Sequence, residues 1–173
     1  MRKILAIDCW PTQGDPNQVL LSGTDQLRMI GGPLEDWSIV EAAKFYVDRQ
    51  ADLAIANSFI EVCGIIIDCN LDQEIWFSRC FLHNIRQPAW VDDEPTFWYQ
   101  WDTIKGIQRL YPSIEFAIPL IRESAIGWSG VFKNGEIAIH FRDSERVKQI
   151  NERNSSDDSI PKRDEDLSGL ASN

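Results

Sequence analysis

Two apolar runs, "FIEVCGIIIDC" at residues 59–69 and "EIWFSRCFLHN" at 74–84, flank a short polar turn and constrain any fold of this chain. Both are rich in β-branched and aromatic residues and read as an antiparallel hairpin. With the turn at "NLDQ", Cys63 faces Cys80, Ile65 faces Ser78 and Ile67 faces Trp76 on one side. Val62 faces Phe81 and Ile66 faces Phe77 on the other. Both faces are largely apolar. A hairpin of this kind belongs in mid-sheet, with cover on each side.

The other elements fall around it. Residues 3–9 read as a first strand and "QVLLSG" as another, while "GGPLED" reads as a turn-rich approach to a helix. Ser38 stands three before Glu41, the capping-box spacing, so a helix is expected from Ile39 to about residue 49, docking through Ile39, Val40, Ala43, Tyr46 and Val47. A second hairpin is pinned by Asn134-Gly135, the favoured pair for a type I′ turn, which sets Phe132 opposite Ile137, Gly130 opposite Ile139 and Trp128 opposite Phe141. A short helix is expected after Asp102, stopped by Pro112, and a last one over "ERVKQINER". The fold class is α+β: a mostly antiparallel sheet of two hairpins plus the N-terminal strand, packed by two or three helices. It occupies residues 1–150, and 151–173, Ser/Asp-rich and without an aromatic, reads as a disordered acidic tail.

Charge narrows the function classes. The net charge is −10 and the pI about 4.6; the last 23 residues contribute −3 and the body −7. A body of that sign disfavours non-specific contact with nucleic acid or an anionic membrane and favours a basic protein partner. No apolar run approaches the roughly 20 residues of a membrane helix, and "MRKILAIDCW" lacks a signal-peptide core. A cytoplasmic location with four reduced cysteines is therefore expected.

Chemical sites are sparse. "CFLH" looks like half a zinc site, but Cys63 and Cys69 are about 20 Å apart along one strand. Ser129 and His140 pair on a hairpin face that supplies neither an orienting carboxylate nor an oxyanion hole. Phosphate-binding glycine motifs are absent, and no cofactor is implied. Asp8 and Asp68 each end an apolar strand, in "ILAIDC" and "GIIIDC", the placement by which many hydrolases hold Mg²⁺; a metal-dependent hydrolase is the alternative reading.

The remaining candidate is "DDEPTFWYQWDTI". Asp92, Asp93, Glu94 and Asp102 cluster with Trp98, Tyr99 and Trp101, and Trp90 precedes them. In a strand Trp98 points away from its aromatic neighbours, so at least one ring should lie near the surface, as interface anchors do. In general outline the chain resembles small acidic bacterial immunity proteins: α+β, strongly negative, aromatic-rich and without catalytic residues. That resemblance implies a non-enzymatic inhibitor of a basic partner such as a nuclease toxin. An oligomer-forming subunit is a third possibility.

Overall fold

The doubly apolar hairpin does lie in mid-sheet. A computed structural model describes residues 1–11, 15–53, 55–82, 95–107, 109–123, 126–141 and 145–157, and in it β4 (Ile55–Asp68) pairs antiparallel with β5 (Gln73–Leu82). Each has a further neighbour on its free edge. β1 (Arg2–Pro11) runs parallel to β5, from Arg2↔Gln73 to Pro11↔Leu82, and β7 (Trp128–Lys133) runs parallel to β4. With β2 (Gln18–Ser22), β3 (Arg28–Pro33), β6 (Thr96–Gln100) and β8 (Glu136–Phe141), eight strands form one sheet in the order β6-β2-β3-β1-β5-β4-β7-β8. The α+β class holds, but the sheet is mixed rather than mostly antiparallel. Parallel neighbours come from distant segments, so no local pattern announces them.

Helices cover both faces, giving three layers. On one face lies α1 (Ile39–Ala51), which begins where its capping box places it: Ser38 Oγ accepts from Glu41 N at 3.2 Å, and the Glu41 carboxylate accepts from Ser38 N at 3.1 Å. Ala43, Tyr46 and Val47 of α1 pack on Leu5, Ile7, Ile65 and Trp76. Beside it, α4 (Glu145–Asp157) adds Val147 and Ile150 to the same core, and the Asn151 carboxamide bonds both backbone groups of Val62, at 3.0 and 2.9 Å. The helix runs beyond the expected end at residue 153, and residues 158–173 of the expected tail lie outside the described set.

The opposite face carries α2 (Trp101–Ile104) and α3 (Pro112–Arg122), whose Ile114, Ala117, Ile118 and Ile121 join Cys63, Ile66, Phe77 and Trp128 in a second core. Two expectations fail here. No side chain caps α2, whose N-cap is Gln100 rather than Asp102. Pro112 starts a helix instead of stopping one, because at the first helical position its missing N–H costs nothing and its φ is already helical.

Strand details also depart from expectation. β3 passes through Gly31-Gly32, read from sequence as turn. The β4–β5 register is Asp68↔Gln73 and Ile65↔Trp76, two residues from the expected one, and a bulge interrupts it between Val62 and Gly64. The bulge puts Cys63 in one core and Cys80 in the other, so they do not face each other. Across the parallel β1–β5 pair, Cys80 meets Cys9 instead, with the sulfurs 3.8 Å apart. The second hairpin keeps Phe132↔Ile137 and Gly130↔Ile139, with Asn134 and Gly135 at φ +53° and +82°; a bulge then sets Ser129, not Trp128, opposite Phe141. Among the described residues, no helix is long and apolar enough to cross a membrane.

Candidate functional site

Alternation along three adjacent strands creates a cleft between the sheet and the start of α3. Arg2, Ile4 and Ala6 of β1 project to the α3 side, as do Met29 of β3 and Gln73, Ile75 and Phe77 of β5; Tyr111, Ser113 and Ile114 close the other wall. The cavity is about 330 Å³, and among the described residues no aspartate or glutamate lines it, whereas Arg2 and Arg28 do. An apolar hollow with a few convergent polar groups is the usual form of a small-molecule site.

Local structure keeps this space open. Gly31, at φ +145°, lines it where a Cβ would fall 1.9 Å from the Leu5 carbonyl oxygen, so only glycine lets β3 close on β1 there. The Gly31–Pro33 wall is fixed from behind by α1. Gln50 accepts from Gly31 N at 2.9 Å and donates to Gly31 O at 2.7 Å, and Tyr46 Oη donates to Pro33 O at 2.6 Å.

At the helix end, Ser113 is 1% exposed and its hydroxyl has no hydrogen-bond partner among the described residues, while no side chain caps α3. A buried hydroxyl without a partner costs free energy. Together with the partial positive charge of a helix N-terminus, it suits an oxygen-rich or anionic ligand group. Tyr111 Oη donates to Asp68 Oδ2 at 2.7 Å, and burial first, then this carboxylate, push the phenol's pKa well above its usual value. The other Asp68 oxygen accepts from Asn70 N and Leu71 N at 2.9 and 3.2 Å.

Asp8 is occupied in a different way. Arg122 grips both its oxygens at 2.7 and 2.8 Å, Trp10 Nε1 donates at 2.6 Å, and the guanidinium lies 5.1 Å from the Trp10 ring centre. Complete burial nevertheless outweighs Arg122 and Trp10 and raises its pKa. Asp8 and Asp68 do not meet. Asp68 pairs with Gln73 and Gln73 with Arg2, six positions along β1 from Asp8, or about 20 Å of strand. The two-aspartate metal site therefore fails on geometry. Among the described residues no group of three His, Cys, Asp or Glu could hold a metal ion.

The described part of the aromatic–acidic stretch, from Pro95 onward, sits elsewhere. Trp90, Asp92, Asp93 and Glu94 lie outside the described residues. Trp98 and Tyr99 are half-buried on β6, an edge strand, with Trp98 against the α1 core and Tyr99 and Trp101 against the α3 core. Asp102 is exposed and pairs with Lys105 at 3.2 Å. None of these four lines the cleft. The cleft residues went unnoticed in sequence because α3 did; Pro112 followed by an apolar-rich segment was the available signal.

No protein-family model and no curated protein matches the sequence. Solved structures do match its fold. A mutator MutT protein from Bacillus halodurans is 14% identical over 81% of this chain and 97% of its own, with a TM-score of 0.60. A NUDIX hydrolase from Nitrosomonas europaea is 15% identical over 72% and 90%, with 0.57. An ADP-ribose pyrophosphatase from Streptococcus suis is 14% identical over 71% and 90%, with 0.51. At such identities the likeness is one of fold. It corrects the reading as a non-enzymatic, immunity-type inhibitor, which rested on net charge and aromatic content, properties that many folds share. The fold of this chain is similar to the folds of that MutT protein, that pyrophosphatase and that NUDIX hydrolase.

Proposed function

We propose that this protein is a hydrolase acting on a nucleotide-type diphosphate compound held in the cleft between β1, β3, β5 and α3. The fold it shares with the MutT protein and the ADP-ribose pyrophosphatase carries the reading. The cleft gives it a location. Ile4, Ala6 and Ile75 offer a flat apolar wall for a base or sugar ring, and Arg2, Gln73 and the Ser113 hydroxyl offer donors for phosphate or hydroxyl oxygens. In the reaction, water adds to one phosphorus, the bridging P–O bond breaks, and two phosphate-bearing products leave.

Such hydrolysis is commonly assisted by divalent cations held between carboxylates and substrate phosphates. The residues described here do not fit that group: Asp68, the carboxylate behind the cleft wall, has both oxygens engaged, and no acid lines the cleft. No step is assigned to a metal.

The test is chromatography of ADP-ribose and a panel of nucleoside di- and triphosphates after incubation with the protein, with and without Mg²⁺. We expect at least one phosphoanhydride to be cleaved, and Ser113→Ala to raise KM for it. If the correctly folded protein cleaves none in either condition, the hydrolase reading fails.

A further inference from the structure

We infer that the cleft engages its ligand's negative charge through Arg2 and needs no divalent cation for binding. This rests on the cleft being a diphosphate site and adds how the charge is met. Where a cation would serve, the cleft should offer carboxylates with free lone pairs. It offers none among the described residues that line it.

Two further observations agree. The Gly31–Pro33 wall is met from α1 by Gln50 and Tyr46, an amide and a phenol, and their polar atoms are spent on the Gly31 and Pro33 backbone. Asp68, which is bonded to the lining residue Tyr111, is 0% exposed, and its oxygens accept from Tyr111 Oη and two amides. Turning it toward a metal would disturb these three hydrogen bonds.

Arg2, by contrast, is exposed at the start of β1, beside Gln73 in the parallel register and on the same face as Ile4 and Ala6. A guanidinium there can hold a phosphate by two parallel N–H···O bonds.

Isothermal titration of ADP-ribose into the full chain, once in EDTA and once in saturating Mg²⁺, decides the matter, with Mn²⁺ titrated alone as a control. We expect the two affinities to agree within about twofold and Arg2→Ala to weaken both by about tenfold or more, the usual effect of losing a charge-assisted bond. We also expect no stoichiometric Mn²⁺ binding. Circular dichroism of Arg2→Ala should match the parent, since the side chain is exposed. Binding that requires Mg²⁺, a stoichiometric Mn²⁺ site lost in Asp68→Asn, or an unchanged affinity in Arg2→Ala would each overturn the inference and leave the diphosphate reading intact. Absence of binding in both conditions would sink that reading, and this inference with it.

Discussion

Replacing Arg122 by Ala should be among the most damaging single changes away from the cleft. Among the described residues, the substitution leaves the Asp8 carboxylate, 0% exposed, with only the Trp10 indole N–H as a side-chain donor. Breaking a buried ion pair from one side costs about 3–5 kcal/mol, because a charge stays buried without its partner. Arg122 also donates to the Gln18 and Pro16 carbonyls, so a value near the top of that range is expected. For a chain of this size that is a fall in Tm of about 6–20 °C. The pH dependence supplies a second check. Burial already raises the Asp8 pKa against the pull of Arg122, and without Arg122 the pKa climbs further. A folded-state pKa above the unfolded one means the folded state binds the proton more tightly. The stability linked to that proton is present in full below the unfolded pKa and is lost as pH rises through the folded one. The variant's deficit should therefore shrink as pH is lowered from 7 toward the unfolded carboxylate range. Asp8→Asn combined with Arg122→Met should recover part of the loss at pH 7. Thermal unfolding by circular dichroism at several pH values measures all of this. A deficit below about 1 kcal/mol, the level of an exposed pair, or one that acidification leaves unchanged, would refute the assignment of a buried charged pair.

Gly64→Ala should destabilise by about 1–3 kcal/mol or more through overpacking, since its Cβ would fall 2.1 Å from the ring of Trp128, which is fully buried; a neutral result in urea titration would mean that β7 does not pack there. Asn151→Ala should cost about 1–3 kcal/mol by leaving the Val62 N–H and C=O without these partners, and protected exchange of the Val62 amide in the variant would argue against it. With a thiol reagent near neutral pH, Cys69, which is exposed, should react at once, whereas Cys9, Cys63 and Cys80 should wait for unfolding; burial lifts the Cys63 thiol to about 12. Rapid labelling of more than one cysteine in the native protein would contradict the burial assigned here.

What the sequence determined by itself is local in origin. The Ser38–Glu41 box starts α1 because both partners lie within one turn of helix, and Asn134-Gly135 turns the second hairpin because two positive φ angles suffice. The doubly apolar hairpin had to be covered on both faces wherever it went. Everything that makes the candidate site came from pairings between distant segments. β1 lies parallel to β5 across some 70 residues, and Gly31 closes on Leu5 only after β3 docks. Asp8 and Asp68 carry the same local signature, yet the sheet sets them at opposite ends. Net charge and aromatic content were legible from the start and pointed the wrong way, because they add over the whole chain. The cleft, without an acid among its described lining residues, is decided by which few residues the parallel pairing brings to one face.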